Sequence, residues 1–229
     1  MKRNYVVIAT LIFVLFSSFA VNAQETKLER IEWTDVWVMN ANQDAGPRVL
    51  LVGDSIVKGY YGVVEKTLGE KVSCARYATS LFLSNPDYLS ELSVLLKRYQ
   101  FDVIHINNGL HGWDYSEEEY KAGLSELLAT IKQCAPEAKV IWCMTTPVRV
   151  AKDVAQIETE KNNRVIERNR IAAEIMQQQE IPVDDLYAAV IDHPEYFSDD
   201  GVHFNGKGQG TQGEQVAKSI EKHLSEGIK

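Results

Sequence analysis

Along this chain, short apolar, β-branched runs alternate with longer segments whose apolar positions recur at helical spacing. Residues 49–52, 71–75, 103–106, 139–143 and 181–185 read as strands, and residues 62–68, 88–99, 117–133, 158–179 and 208–224 as helices. Strands that alternate with helices in this way build a parallel sheet covered on both faces. The predicted fold class is therefore α/β, a three-layer αβα sandwich around a five-stranded parallel sheet. Ser116 and Glu119 form a capping box for the helix at 117–133, and Asp114 adds negative charge near its positive end. Residues 24–47 lack a helical period; Ile31-Glu32-Trp33-Thr34-Asp35-Val36-Trp37-Val38 alternates as an edge strand does.

The first apolar stretch is different in kind. Lys2 and Arg3 precede an apolar run from Tyr5 to Phe16, and Val21-Asn22-Ala23 ends in small residues at the positions a signal peptidase reads. Ser17, Ser18 and Asn22 interrupt the run before it reaches the ~20 apolar residues of a membrane span. The pattern predicts a signal peptide over residues 1–23, a secreted or periplasmic protein with no stable membrane anchor, and one domain over 24–229. Cleavage would remove two of the 24 basic residues and none of the 32 acidic ones, taking the net charge from −8 to −10. Such a charge excludes nucleic acid and anionic membranes as partners. Cys74, Cys134 and Cys143 are too few for a disulfide framework and read as free thiols, two of them inside strand-like runs.

The chemistry is carried by two distant segments. Gly53-Asp54-Ser55 directly follows Val49-Leu50-Leu51-Val52, and Asp200-Gly201-Val202-His203 lies near the C-terminus. Each alone is ordinary turn chemistry. Together they place a hydroxyl nucleophile after the first strand and an imidazole with its orienting carboxylate in a loop beyond the last. In an open parallel sheet both loops meet at the rim formed by the carboxyl ends of the strands. Ser55 would attack, His203 would take its proton, and Asp200 would hold the ring of His203. Gly53 allows a tight strand-to-helix turn, and the start of the helix offers N–H groups to a developing oxyanion. Val57 stands where a Gly-x-Ser-x-Gly elbow would carry its second glycine, which disfavours the common α/β-hydrolase arrangement.

On these residues the chain resembles the SGNH, or GDSL-type, hydrolases, and the resemblance spans residues 24–229. It implies the flavodoxin-like SGNH hydrolase fold, a Ser55–His203–Asp200 triad and three oxyanion donors: the N–H of Ser55, a backbone N–H in a second block and a side chain in a third. In the second block, Ala78-Thr79-Ser80 stands near the family's glycine, and Ser80 takes the donor role. In the third, Gly109 falls on the block glycine and His111 where asparagine is usual, so the side-chain donor is His111 or Asn108, with His111 preferred. The run Asn107-Asn108-Gly109-Leu110-His111-Gly112-Trp113 resembles secreted, carbohydrate-associated members. The implied activity is hydrolysis of O-acyl, chiefly O-acetyl, esters on a small-molecule or polysaccharide substrate. The rival readings are a lipid or thioester acyl hydrolase and a non-catalytic glycan-binding module on the same fold.

Asp54, Arg76, Trp113 and Arg149 are candidate substrate contacts, Tyr115 and Tyr60 candidate stacking surfaces for sugar rings. No cofactor or metal is expected: Gly201 to Lys207 nearly spells a P-loop, but Gly208 replaces its Ser or Thr, and the Asp192–His203 cluster matches no zinc spacing. His105, inside an apolar strand, reads as a satisfied core residue. Nothing in the pattern specifies an oligomeric state.

Overall fold

The computed structural model describes residues 26–43 and 46–225. The expected signal peptide lies outside the described residues. Strand β2 (Arg48–Gly53) is buried over its whole length and pairs in parallel with β3 (Ser73–Thr79) on one side and β4 (Val103–Ile106) on the other. β5 (Lys139–Cys143) and the two-residue β8 (Val183–Asp184) continue the parallel sheet beyond β4, while β1 (Thr34–Val38) closes the opposite edge antiparallel to β3. The order is β1-β3-β2-β4-β5-β8. The sheet thus has six strands rather than five, the sixth arising from the alternating segment before residue 39. Its parallel part has the flavodoxin-like order, which reverses between β2 and β4 and opens a crevice there.

Alternation along β2 divides the core. Leu50 and Val52 face one layer with Ile104, Ile106 and Trp142, against helices α2 (Pro86–Arg98), α3 (Glu117–Cys134) and α4 (Thr159–Gln178). Val49 and Leu51 face the other with Val103 and Ile141, against α1 (Ser55–Leu68), the short α5 (Leu186–Val190) and α6 (Gly206–Ser225). A two-stranded hairpin, β6 (Arg149–Val150) with β7 (Asp153–Ile157), stands apart from the sheet.

Several boundaries differ from the sequence pattern. β3 runs to Thr79 because Arg76, which breaks the apolar run, is paired across the edge with Asp35 of β1 at 2.7 Å. α1 begins at Ser55 rather than residue 62: Gly59 interrupts the helical pattern but faces Gln209 of α6, so tertiary packing carries the helix through it. The capping box is present, with Ser116 accepting from the Glu119 N–H and the Glu119 carboxylate accepting from the Ser116 N–H. All three cysteines are free, and Cys74 and Cys143 are buried.

Candidate active site

Gly53 ends β2 under tight constraint, since a Cβ there would fall 2.3 Å from the Val57 methyl. The chain therefore turns directly into α1, whose N-cap is Asp54, its Oδ1 accepting from the Ile56 N–H at 2.9 Å. Asp54, expected as a substrate contact, is buried, with its Oδ1 engaged in this cap. Ser55 is the first helical residue, where a backbone N–H has no intrahelical acceptor.

The partner loop is built locally and braced from outside. Phe197 and Phe204 form an isolated bridge with ring centroids 4.4 Å apart, enclosing residues 198–203. Asp200 Oδ1 accepts from the N–H groups of Val202 (2.9 Å) and His203 (2.8 Å), and its Oδ2 meets His203 Nδ1 at 2.7 Å. Gly201 adopts φ +75°, and a Cβ on it would lie 2.2 Å from the Arg149 carbonyl oxygen. The hairpin holds this loop through Arg149 N–H to Gly201 O (2.7 Å) and Lys152 N–H to Asp199 O (2.6 Å).

The two segments meet, with His203 Nε2 lying 2.8 Å from Ser55 Oγ. Partial burial raises the Asp200 carboxyl, but the backbone N–H groups of Val202 and His203 and the imidazole outweigh it, so the group sits below the ordinary carboxylate range. An ionised Asp200 keeps the ring proton on Nδ1, which presents a lone pair on Nε2 to the Ser55 hydroxyl. The Asp200 and His203 side chains are about half exposed (51% and 47%), so the arrangement lies open on the rim. Grooves of about 480 and 430 Å³ lie at the other end of the sheet, among Arg48, Tyr99, Pro136 and Lys139. Between α1 and the sheet, a cavity lined by Ile56, Val57, Tyr60, Asn107, Cys143 and Leu186 holds about 10 Å³.

The expected oxyanion donors fare unequally. The Ser80 N–H is donated to the Trp33 carbonyl at 3.0 Å, because the edge strand's pairing with β3 continues past Thr79. The assignment of Ser80 is therefore corrected. The next N–H, of Leu81, is taken by Thr79 Oγ1 at 3.1 Å. Asn108 Nδ2 donates to the Leu81 carbonyl (2.9 Å) and Asn107 Nδ2 to the Cys143 carbonyl (2.6 Å), so both asparagines hold loops together. Gly109 packs on Thr145, whose Oγ1 would lie 2.1 Å from a Cβ at that position. His111 is paired through Nδ1 with Glu29 at 2.9 Å, which leaves Nε2 as its other polar atom.

The structure places the other candidates as follows. Arg149 is buried, with its guanidinium donating to the carbonyls of Val154 and Ile191 over the Phe197 ring. Arg76 is held by Asp35 within the sheet and lies over Tyr61. Tyr60 and Tyr115 are buried, whereas Trp113 stays partly exposed beneath the cations of Lys161, Arg164 and Arg168. His105 is fully buried and meets Asp184 at 2.9 Å.

Two residues escaped the sequence pattern. Arg168, fully buried, donates from Nη1 to the carbonyls of Gly109 and His111 (2.8 Å each) and from Nη2 to that of Gly112 (3.0 Å). The available signal was its place in the apolar stripe Val165, Arg168, Ala172, Ile175 of a helix. Glu29 lies in a segment without periodicity and carried no signal.

A model of the GDSL-like lipase/acylhydrolase family matches residues 51–210. No curated protein matches the chain at the sequence level. Among solved structures, an aryl esterase of M. smegmatis aligns at 16% identity and TM-score 0.65, covering 77% of this chain and 99% of that one. A carbohydrate acetylesterase from Sinorhizobium meliloti aligns at 13% identity and TM-score 0.64, with coverage of 77% and 99%. A lipase/acylhydrolase from Enterococcus faecalis gives 20% identity, TM-score 0.61 and coverage of 77% and 96%. At these identities the structural likeness establishes a shared fold.

Proposed function

Because the chain belongs to the GDSL-like lipase/acylhydrolase family, whose chemistry is acyl-ester hydrolysis, we propose that it is a secreted serine esterase acting on O-acyl, foremost O-acetyl, esters of carbohydrates. The observation that carries this reading is the run of hydrogen-bond distances from Ser55 Oγ to His203 Nε2 (2.8 Å) and from His203 Nδ1 to Asp200 (2.7 Å). In the proposed reaction Nε2 takes the hydroxyl proton as Ser55 Oγ attacks the ester carbonyl. The imidazolium, steadied by Asp200, returns that proton to the departing sugar oxygen, leaving an acyl-enzyme. Water, deprotonated by His203, then releases the acid and restores Ser55. The N–H of Ser55 and Nε2 of His111 are the donors assigned to the oxyanion.

The choice of substrate class rests on shape. The half-exposed Asp200 and His203 on an open rim are accessible to a bulky polymer. The fold shared with the Sinorhizobium meliloti carbohydrate acetylesterase is in keeping with this choice. Secretion rests on the pattern of residues 1–23.

Fluorophosphonate labelling tests the chemistry: the protein is expected to react and Ser55→Ala to stay unlabelled. A glycan-binding module would leave both forms unlabelled. Hydrolysis rates on p-nitrophenyl acetate, longer acyl esters and acetylated xylan or pectin test the substrate. A preference for long chains would favour the lipid reading and overturn the acetyl-sugar assignment.

A further inference from the structure

Resting on that serine-esterase reading, we infer that Glu29 is a positioning residue: it holds His111 so that the free ring nitrogen, Nε2, serves as a fixed N–H donor to the oxyanion. The inference begins with elimination. Several donors near the rim are committed elsewhere: Ser80 N–H to Trp33, Leu81 N–H to Thr79, both hydrogens of Asn107 Nδ2 to Cys143 and Thr145, and one of the two hydrogens of Asn108 Nδ2 to Leu81. Of the expected donors this leaves the Ser55 N–H, the second N–H of Asn108 and His111, and of the two side chains only His111 is gripped by a carboxylate. A hole with one fewer backbone donor depends more heavily on the side chain.

The geometry around His111 is that of a group fixed on all sides but one. The Glu29 carboxylate spans two consecutive residues, Oε2 meeting His111 Nδ1 at 2.9 Å and Oε1 accepting the Gly112 N–H at 3.0 Å. From the opposite side Arg168 holds the carbonyls of Gly109, His111 and Gly112, and Arg164 holds those of Trp113 and Tyr115. The N-terminal segment is itself fastened, its Lys27 N–H reaching the Tyr115 hydroxyl at 3.0 Å and its Trp33 ring meeting the His111 ring edge-on at 6.5 Å. A donor already oriented before substrate arrives requires no reorganisation during reaction.

Charge reinforces the placement. Glu29 and Glu32 from the N-terminal segment and Asp54 at the head of α1 face His111, while the Arg168 cation is spent on loop carbonyls. Burial works against a charged ring, but the hydrogen bond from Glu29 and these carboxylates outweigh it, raising the proton affinity of His111 above that of ordinary histidine. In its doubly protonated form the ring donates at both nitrogens, Nδ1–H to Glu29 and Nε2–H to the oxyanion, and a charged donor makes the stronger bond. Glu29 precedes residues 51–210, the part of the chain the family model matches, so the donor is held by a segment outside that match.

The test is a mutant cycle on p-nitrophenyl acetate with Glu29→Ala, Glu29→Gln, His111→Ala and the Glu29→Ala/His111→Ala double variant. Loss of one oxyanion donor costs ~100-fold or more in kcat, so His111→Ala is expected to fall in that range and Glu29→Ala by about tenfold, each with KM nearly unchanged. The double variant should be no slower than His111→Ala. Glu29→Gln removes the charge and keeps a hydrogen-bonding group, so the alkaline limb of its pH–rate profile should move to lower pH. Should Glu29→Ala prove unstable, Glu29→Gln decides. An unchanged kcat and pH profile in Glu29→Gln, or losses that multiply in the double variant, would overturn the inference while leaving the esterase reading intact. A parent protein that neither hydrolyses the ester nor is labelled at Ser55 would instead remove the esterase reading, and this inference with it.

Discussion

Replacing Arg168 with Met tests how far one buried side chain organises the rim. The guanidinium is fully buried and closes three hydrogen bonds at 2.8–3.0 Å to the carbonyls of Gly109, His111 and Gly112, with Glu117 3.4 Å from its Nε. Burial pulls its pKa down to about 10, so the cation is retained at neutral pH. Met keeps most of the length, which limits cavity formation, but strands three carbonyls. At about 1–3 kcal/mol each, less the desolvation no longer borne by the cation, the net loss is about 3–5 kcal/mol. That is about a fifth or more of a typical stability of about 5–15 kcal/mol. At roughly 2–4 °C per kcal/mol for a chain of this size, melting followed by circular dichroism should fall by about 10 °C. Because the freed loop carries His111, kcat on p-nitrophenyl acetate should fall about tenfold, a fraction of what loss of an oxyanion donor costs. Arg170→Ala, on the exposed face of the same helix, should leave both quantities unchanged. A melting shift below about 2 °C with unaltered kcat would refute the reasoning.

Burial raises the Asp184 carboxyl, but the hydrogen bond and charge of His105, together with Gln215, outweigh it and hold the group below its ordinary value. A folded-state value below the unfolded one means the stabilisation is complete above about pH 4 and is lost as pH falls through the folded value; melting temperatures measured below pH 4 should therefore decline, and less steeply in Asp184→Asn. Gly201→Ala sets a Cβ 2.2 Å from the Arg149 carbonyl oxygen at φ +75°. The loop bearing Asp200 and His203 must shift, so kcat should drop by about tenfold or more, since even a small misplacement of reacting groups is costly; fluorophosphonate labelling at the parent rate would contradict this.

The polar apparatus was legible only where residues lie close in the chain or directly follow a strand. Asp200 and His203 are three apart and share one turn, and Ser55 follows an unmistakable apolar strand, so topology alone brings them to one rim. Ser80 failed as a donor because an edge strand more than 40 residues earlier occupies its N–H. Arg149 looked like a rim cation and is instead spent on carbonyls of β7 and the segment after α5. An isolated arginine codon says nothing about which carbonyls will surround the side chain.

The amino-acid order by itself determined the layers of this protein, because hydrophobic periodicity is local and each strand or helix must bury its own apolar face. It also determined the pairing of Asp200 with His203, three residues apart. Only the tertiary structure decided which hydrogen-bond donors remain uncommitted around Ser55, and that Glu29, from a segment without periodicity, reaches His111 82 residues away. Such satisfaction of polar groups is a property of the packed whole, since the acceptor of each N–H is chosen by whatever element folding brings beside it.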